Sequence, residues 1–349
     1  MSERILVLGG GGIGGLVAGL LSESGSHDVL LADQWPENIE QIRSDGLLID
    51  VRGQSSRTVP VRAIHLHELQ RESEPFDAVF VAVKSYDTDW TAALARRHLA
   101  EGGVAMSTQN GLNDERVAAA VGLGRTLGVV VTVAGELLGA GHALRADAYE
   151  VGFKVGELDG PVTDRVRHVA DLLGEVAVTK TTGNLVGERW AKLATNTMVN
   201  AMSGLSGYGA GEVRSMDDTL PVLILLGAET VRVGLASGHD VEPVMGLDPG
   251  RFVAAADGVG REELIADIRV VARATGGHRA SMLQDVLKGR RTEIEDLNGE
   301  VARRGAALGI ETPFNLEAAR IVRRHAIGAL RPDPENIAPM IEMARQRWS

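Results

Sequence analysis

The hydrophobic pattern of the first 33 residues changes twice, and these changes predict a strand, a turn, a helix and a second strand. Residues 5–8 form an unbroken apolar run that is typical of a buried strand. A cluster of glycines follows, and between residues 14 and 21 the apolar side chains recur at helical spacing. A second apolar run, at residues 28–31, ends at Asp33.

The glycines between the first strand and the helix have the spacing of a dinucleotide-binding turn. Gly9, Gly11 and Gly14 fit the pattern G-x-G-x-x-G, in which the glycines permit a tight turn, close approach of a pyrophosphate and packing of helix on strand. A second frame starts one residue later, and the first is favoured because Gly9 directly follows the strand. The alternative is a signal peptide or membrane segment, which the glycine content and the start without net positive charge disfavour.

Asp33 indicates which dinucleotide this turn would bind. It ends the second strand, where a carboxylate bonds the hydroxyls of the adenosine ribose. A carboxylate at this place would also repel a 2′-phosphate. We therefore expect NAD(H) as the favoured cofactor, with NADP(H) as the alternative.

The rest of the pattern divides the chain into an α/β part and a helical part. Before residue 183, short apolar runs of the parallel-strand type alternate with helical stretches; after it, the spacing is helical almost throughout, with loops expected at 243–260. We predict an α/β Rossmann-type dinucleotide-binding domain at 1–183 and an all-helical substrate and catalytic domain at 184–349. The predicted strands beyond the first unit lie at 47–51, 59–64, 76–83, 104–108, 126–133 and 176–179, and the predicted helices at 90–99, 162–173, 188–203, 280–304, 314–326 and 336–347.

Composition narrows the possible functions. The 349 residues are 44% apolar, which is enough to fill ordinary cores in two domains. The lack of cysteine excludes disulfides and thiolate chemistry. The sequence also contains no His/Cys cluster with the spacing of a zinc site, so no metal is expected. A formal net charge of −11 disfavours nucleic acid as a partner. No segment after the first helix is long and apolar enough to span a bilayer, so we expect a cytoplasmic protein that does not contact membranes.

Polar residues at strand ends and along one helix are candidates for chemistry. Lys84 and Asn110 follow two predicted strands, and in an open parallel sheet the ligand lies outside these carboxyl ends. A solvated lysine and a plain Asn-Gly turn are the alternatives. Lys192, Asn196 and Asn200 are spaced i, i+4, i+8 and share one face of a helix, for which a solvent-facing polar stripe is the alternative.

Five segments in the same order resemble the ketopantoate reductase (2-dehydropantoate 2-reductase) family. They are VLGGGGIGG at 7–15, VAVKSYDT at 81–88, TQNGLNDE at 108–115, ERWAKLATNTMVN at 188–200 and SMLQDVLKGRRTEIEDLNG at 281–299. The resemblance implies a Rossmann domain followed by a helical domain, with the active site in the cleft between them. It implies reduction of a 2-keto acid to the hydroxy acid by hydride from a nicotinamide cofactor, the family's reaction in pantothenate biosynthesis.

The resemblance also implies a role for each matching residue. Lys192 matches the catalytic lysine that protonates the carbonyl oxygen, where a developing alkoxide needs both a positive charge and a proton. Glu293 matches a glutamate that contacts the cofactor and helps to place the lysine. The substrate-binding positions match Asn196, Asn200 and Ser281, and the cofactor-binding positions match Gly9, Gly11, Gly12, Gly14, Lys84, Asn110 and Ala134.

Three positions depart from the family pattern. Many members have a basic residue for the 2′-phosphate where this chain has Ala-Asp-Gln at 32–34, and Ala210 and His278 stand where members often place asparagine toward the substrate. These differences leave the reaction type intact and the identity of the keto acid open.

The alternative functions are an opine-type dehydrogenase, which typically needs a prominent histidine, and a non-catalytic dinucleotide sensor, which needs no proton donor. A homodimer is left open as the assembly.

Overall fold

The computed structural model describes residues 2–146, 150–275 and 279–348. The chain divides into two compact units, Met1–Leu185 and Val186–Ser349. The first unit combines strands and helices, and the described part of the second is built from helices. This confirms the predicted fold class of an α/β domain followed by a helical one.

The first unit is built on strands that alternate with helices. The strands are β1 (Arg4–Leu8), β2 (Asp28–Asp33), β3 (Leu47–Val51), β4 (Arg57–Val59), β5 (Arg62–His65), β6 (Phe76–Val81), β7 (Leu99–Ser107), β8 (Thr126–Val131), β9 (Gly135–Gly139), β10 (His142–Arg145), β11 (Phe153–Gly156) and β12 (Thr179–Thr181). The helices are α1 (Gly12–Ser24), α2 (Pro36–Asp45), α3 (Thr88–His98), α4 (Asp114–Val121) and α5 (Asp164–Gly174).

The main sheet of this unit places several strand ends side by side. Among the described residues it has eight strands in the order β12-β11-β8-β7-β6-β1-β2-β5, and they are parallel except where β11 meets β8. The chain proceeds from β1 to β2 on one side, and β6 lies on the other side of β1. The strand order therefore reverses at β1, and ligands of open α/β sheets bind outside the carboxyl ends at such a point.

Both faces of the main sheet are buried. Ile5 and Val7 of β1 belong to one apolar cluster, whereas Leu6 and Leu8 belong to another. Successive side chains of a strand point to opposite faces, so an apolar run without polar residues is what a sheet covered on both sides requires. This is why residues 5–8 could be recognised as a buried strand.

The excursion predicted at 47–64 forms parts of two sheets. A smaller sheet has the order β4-β3-β10-β9 in the described residues, and it contacts α1 through β9 and β10. The single strand predicted at 59–64 is wrong, because β4 ends at Val59 in the small sheet and β5 begins at Arg62 in the main sheet. Pro60 lies at the break, where it has no N–H for a ladder and restricts the residue before it.

The described helices of the second unit surround a buried central helix. They are α6 (Leu185–Ser206), which begins at the boundary, α7 (Ala210–Val213), α8 (Leu220–Ala236), α9 (Pro249–Ala256), α10 (Arg261–Thr275), α11 (Ser281–Leu287), α12 (Asn298–Leu308), α13 (Pro313–Arg323) and α14 (Ala338–Trp348). Helix α8 is buried over most of its length and contacts α9, α12, α13 and α14. A helix that is apolar on all sides is typical of such a central position.

Two predictions for the second unit are wrong. The loops expected at 243–260 contain α9, which begins at an Asp-Pro pair whose Asp248 side chain accepts a hydrogen bond from the Arg251 N–H at 3.3 Å. Proline at the first helical position and aspartate before it are start signals, not only loop signals. The helix expected at 280–304 is divided into α11 and α12, and Gly289, shortly after α11 ends, has a φ of 62° that does not continue a helix.

Candidate functional site

Several glycines of the turn after β1 leave no room for a side chain, and Gly9 and Gly14 are two of them. Gly9 has a φ of 107°, and a Cβ there would lie 2.8 Å from the Val83 nitrogen. A Cβ on Gly14 would lie 1.9 Å from the Gly9 carbonyl oxygen, so the helix could not pack this closely with any other residue. Gly11, the residue before α1, has open space in front of its Cα. The turn therefore leaves the free N–H groups of the helix accessible to an anion.

Asp33 lies at the carboxyl end of β2, and its carboxylate is held by the adjacent backbone. Its Oδ2 accepts a hydrogen bond from the Gly10 N–H at 2.7 Å, and its Oδ1 accepts one from the Trp35 N–H at 3.1 Å. Asn38 of α2 donates a further bond to Oδ2 at 3.1 Å. The residue is 8% exposed, so a small part of it remains open to solvent or a ligand.

A cavity of about 880 Å³ opens beside Asp33. Gln34, His65, His67 and Arg97 contribute polar groups to its walls. The rings of His65 and His67 stack with centroids 5.6 Å apart, and apolar side chains from α3 line another side. A cavity with apolar and polar walls beside a carboxylate has the features that an adenosine group requires.

Lys84 and Asn110 lie in loops that the structure ties together. Lys84 precedes a short 3₁₀ turn after β6, and Asn110 follows β7, the neighbouring strand of the sheet. The Ser85 hydroxyl donates to the Asn110 carbonyl oxygen at 3.0 Å, and the Gln109 side chain donates to the Val83 carbonyl oxygen at 2.9 Å. The carboxyl ends of β6 and β7 are therefore held as one polar edge.

A third segment of this unit contains Ala134 and packs on Gly12 at the start of α1. Ala134 lies between β8 and β9, where its carbonyl oxygen accepts a bond from the Ala146 N–H at 2.9 Å. A Cβ on Gly12 would lie 2.7 Å from the carbonyl carbon of Gly135, so the start of β9 packs directly on the start of α1. The residues predicted to bind the cofactor thus occupy adjoining segments of one domain.

Helix α6 carries the candidate catalytic face of the second unit. Lys192 is half-buried, Asn196 is 5% exposed and Asn200 is 6% exposed. The Ser281 hydroxyl at the start of α11 donates to Asn200 Oδ1 at 3.3 Å, so the structure brings two predicted substrate residues together. Because the two amides are buried, a solvent-facing polar stripe does not describe this face.

Glu293 is also buried in the second unit. It is 4% exposed and lies between α11 and α12, where its carbonyl oxygen accepts bonds from Asp296 at 3.0 Å and Leu297 at 3.1 Å. Sequence periodicity predicts one continuous helix from Ser281 through Glu293. In the structure, Glu293 instead lies in the non-helical segment between α11 and α12, which sequence periodicity did not reveal.

A buried polar network behind α6 was missed by sequence reasoning. Asn298 Nδ2 donates to the Thr197 carbonyl oxygen of α6 at 3.2 Å and to Asn315 Oδ1 at 3.0 Å. Asn315 Nδ2 donates in turn to Glu229 Oε2 of α8 at 2.8 Å. The sequence contains Asn298-Gly299 as a visible pair, but nothing in its spacing connects it with Glu229 or Asn315.

Glu229 is the titratable member of this network. Its carboxylate accepts the N–H groups of Phe314 and Asn315, each at 2.9 Å, at the start of α13. Burial raises the pKa of Glu229 to about 7, against these N–H donors, which favour the ionised form. The network joins α6, α8, α12 and α13 and so supports the helix that carries Lys192.

Two residues, Ala210 and His278, stand where family members often place asparagine toward the substrate. Ala210 is fully buried at the start of α7 and supplies no polar group. His278 lies outside the described residues.

Within the described ranges, we find no group of three or more His, Cys, Asp or Glu side chains arranged to hold a metal ion. The helices of those ranges include none with the length and apolar character needed to cross a membrane.

Each of the two units matches a family model. Residues 5–160 match the model described as ketopantoate reductase PanE/ApbA, and residues 184–326 match its C-terminal counterpart. The chain belongs to the ketopantoate reductase family. It is an NAD(P)-dependent oxidoreductase of the 2-keto acid reductase type, and its cofactor is a nicotinamide dinucleotide.

Two archaeal relatives match this chain over almost their whole length. The 2-dehydropantoate 2-reductase of Archaeoglobus fulgidus is 29% identical over 92% of this chain and 97% of the relative. That of Halobacterium salinarum is 29% identical over 92% of this chain and 98% of the relative.

Solved structures share the fold at lower identity. The 2-dehydropantoate 2-reductase of Geobacter metallireducens superimposes with a TM-score of 0.77 at 23% identity, covering 92% of this chain and 99% of the other. A D-mandelate dehydrogenase, solved with NADH and anilino(oxo)acetate, superimposes with a TM-score of 0.78 at 19% identity, covering 98% and 99%. A dimeric ketopantoate reductase from Staphylococcus aureus has a TM-score of 0.68 at 17% identity, covering 92% and 98%.

Proposed function

We propose that this protein reduces a ketopantoate-like 2-keto acid to the 2-hydroxy acid, with Lys192 as the general acid. The observation that carries the proposal is the face of α6 on which Lys192 lies in line with the buried amides Asn196 and Asn200. Buried amides beside a lysine are suited to a small polar substrate, because each amide both donates and accepts hydrogen bonds. In this proposal, residues 1–183 bind the dinucleotide and residues 184–349 bind the substrate.

The reaction assigns a task to each of these side chains. When bound, the reduced nicotinamide supplies the hydride for the carbonyl carbon of the substrate. Lys192 donates a hydrogen bond to the carbonyl oxygen, stabilises the charge that develops there and transfers its proton to that oxygen. Asn196, Asn200 and Ser281 orient the substrate by hydrogen bonds, and Glu293 helps to place the lysine.

The first domain binds the cofactor through backbone and a few polar side chains. The N–H groups at the start of α1 hold the pyrophosphate, and the contacts of Gly9 and Gly14 with their neighbours explain why the turn is made of glycine. Lys84, Asn110 and Ala134 contact the cofactor from the ends of the neighbouring strands. Asp33, which lines the 880 Å³ cavity, would bond the adenosine ribose.

Asp33 is also the basis for a preference for NADH over NADPH. Its carboxylate accepts a hydrogen bond from the Gly10 N–H at 2.7 Å, and Gln34 beside it carries no positive charge. An ionised carboxylate repels a 2′-phosphate and accepts hydrogen bonds from ribose hydroxyls. NADPH remains the weaker cofactor in this proposal.

The residues around the substrate should decide which 2-keto acid is reduced. Because Ala210 is buried and apolar, this position supplies no hydrogen bond to a hydroxyl group of the substrate. We therefore include keto acids without the hydroxyl of ketopantoate among the candidates. We further propose a cytoplasmic enzyme and a homodimer, the latter to be checked by light scattering.

A screen of keto acids against both nucleotides tests the proposal. Purified protein is mixed with NADH or NADPH and with ketopantoate, pyruvate, 2-ketoisovalerate or benzoylformate, and the loss of nicotinamide absorbance is followed. We expect turnover with at least one of them and a higher kcat/KM with NADH. Nucleotide binding without turnover of any keto acid would favour the non-catalytic sensor, and turnover only when an amine is added would favour an opine-type dehydrogenase.

A further inference from the structure

Asn38 is a fully buried amide that joins three segments of the first unit. It is 0% exposed on α2. Its Nδ2 donates to the Gly10 carbonyl oxygen at 3.2 Å and to Asp33 Oδ2 at 3.1 Å, and its Oδ1 accepts from the Gly141 N–H at 2.8 Å. The orientation of the amide follows from these partners, since a backbone N–H can meet only the oxygen and a carbonyl only the nitrogen.

We propose that Asn38 is a positioning residue that sets the orientation of Asp33 and of the glycine turn, and thereby the affinity for NADH and its discrimination from NADPH. The inference rests on the proposed function, in which Asp33 bonds the adenosine ribose. Asn38 itself need not touch the cofactor, because its hydrogen-bonding groups are directed at protein atoms.

The role follows from how Asp33 is held. Oδ2 receives the Gly10 N–H and the Asn38 amide from two directions, so the carboxylate cannot rotate about its last bond without losing one of them. Asn38 also bonds the carbonyl oxygen of the same Gly10, so one side chain holds both the carboxylate and the peptide that faces it. Leaving these buried groups without partners would cost more than a typical exposed hydrogen bond.

The hydrogen bond from the Gly141 N–H to Asn38 Oδ1 connects Asn38 to the small sheet. Gly141 forms the turn between β9 and β10, and β9 begins against Gly12 at the start of α1. The hairpin is therefore attached at its turn by Asn38 and packed at its start on the glycine helix. A change at Asn38 should reach the nucleotide site through both contacts.

Asn38→Asp distinguishes positioning from mere support of the fold. The new carboxylate would face that of Asp33 across the present 3.1 Å contact and the carbonyl oxygen of Gly10. Two carboxylates at such a distance share a proton, and one of their pKa values rises strongly. At low pH the shared proton restores a donor toward Asp33, whereas at high pH both groups are ionised and repel each other.

The experiment is a fluorescence titration of NADH and NADPH at pH 5.5 and pH 8.5, with thermal melts to verify folding. Other ionisable groups lie near Asp33: His65, which contacts Glu40 at 2.5 Å, and Arg97 both line the cavity. Each variant is therefore compared with wild type at the same pH. For Asn38→Asp we expect NADH binding near wild type at pH 5.5 and at least about tenfold weaker at pH 8.5, the effect of one pKa unit of coupling. Asn38→Ala should weaken NADH more than NADPH at both pH values.

Asn315→Ala is the matched control, because Asn315 is an equally buried amide in the helical unit. It should lower the melting temperature and leave both nucleotide affinities unchanged. Wild-type protein that binds neither nucleotide would overturn the proposed function and this role with it. Tight wild-type binding together with an Asn38→Asp profile parallel to wild type would overturn only the role of Asn38. If Asn38→Asp does not fold, an unchanged ratio of NADH to NADPH affinity in folded Asn38→Ala has the same meaning.

Discussion

At the scale of single residues, burial separates a binding face from a solvated one. Lys192, Asn196 and Asn200 have the spacing of one helical face, but an exposed polar stripe would have the same spacing. The structure shows the two amides 5% and 6% exposed, with Asn200 bonded to Ser281. Two amides buried on the face that carries Lys192 therefore favour a binding face over a solvated stripe.

Replacing the candidate general acid tests this face most directly. We expect Lys192→Ala to lower kcat by about 10²- to 10⁴-fold, since a positioned proton donor and a charge beside the alkoxide are both lost. NADH affinity should stay close to wild type, because the nucleotide is assigned to the other domain. Steady-state rates and a nucleotide titration measure the two effects. Lys180→Ala, on exposed edge strand β12, is the matched control, and near-normal turnover of Lys192→Ala would remove the proton-donor role.

The residues after β2 should control the choice of nucleotide. Asp33→Ser combined with Gln34→Arg removes a carboxylate and adds a guanidinium that can bond a 2′-phosphate. Hydrogen bonds to charged groups contribute about 1.5–3 kcal/mol, so we expect a shift of about 10- to 100-fold toward NADPH. The measurement is the ratio of kcat/KM for the two nucleotides, with Gln34→Arg alone as the control. A wild-type enzyme that prefers NADPH would contradict the assignment of Asp33.

At the scale of elements, close backbone contacts explain the glycine turn, and long-range contacts explain the errors of prediction. The turn after β1 could be recognised because its glycines are close in sequence and the requirement for each is local. The division of 280–304 into α11 and α12 could not, because it depends on contacts with distant segments: Met282 of α11 lies against Gly204 of α6, and after α11 the backbone of Gly289 lies against Gly328. Local periodicity contains no information about such packing.

Gly14 offers a test of the turn as an element. Gly14→Ala would place a Cβ within 1.9 Å of the Gly9 carbonyl oxygen, so helix and strand must separate. We expect a loss of about 1–3 kcal/mol in the free energy of unfolding, as for overpacked cores, together with weaker nucleotide binding. Urea unfolding and titration with NADH measure these effects. Gly174→Ala at the end of α5, which has no heavy atom within 4 Å of the new Cβ, should instead be neutral or stabilising by up to about 1 kcal/mol.

The cap of α13 by Glu229 should make stability depend on pH. Because burial raises its pKa from 4.5 to about 7, the folded state holds this proton more tightly than the unfolded state. The resulting stabilisation is complete below pH 4.5, decreases as the pH rises to about 7 and is absent above that, with an order of magnitude of about 3 kcal/mol. Denaturant unfolding followed by tryptophan fluorescence between pH 5 and pH 8 measures the slope.

Glu229→Gln is the control for this slope. The variant should be less stable at every pH, because its amide group would face an N–H donor, but the decrease between pH 5 and pH 7 should be smaller. An equal slope in wild type and variant would show that another group is responsible.

At the scale of the whole molecule, the chain consists of two units to which the proposal assigns different ligands. The division at Leu185 and the family models at 5–160 and 184–326 agree on two parts. If the assignment is correct, each ligand should first stabilise its own unit, because binding protects the segments that it contacts from local opening.

Hydrogen exchange measured by mass spectrometry tests this assignment. We expect NADH alone to slow exchange in the glycine turn and in the segments around Lys84 and Asn110. A hydroxy-acid product added with NAD⁺ should slow exchange in addition around residues 192–200 and at the start of α11. Protection by NADH confined to the helical unit would contradict the assigned roles, and Asn38→Ala should reduce the protection at the turn.

The sequence by itself determined the fold class, the glycine turn and the line of polar residues on α6, because each depends on neighbours within a few residues. Apolar runs for buried strands, helical spacing and glycine positions are local signals that folding does not rearrange. The tertiary structure alone decided that Asn196 and Asn200 are buried and that Asn38 holds Asp33. It also alone decided that Asn298, Asn315 and Glu229 support α6 from behind. These contacts join residues that lie far apart in the chain, and a hydrogen bond between distant segments leaves no periodic trace in either of them.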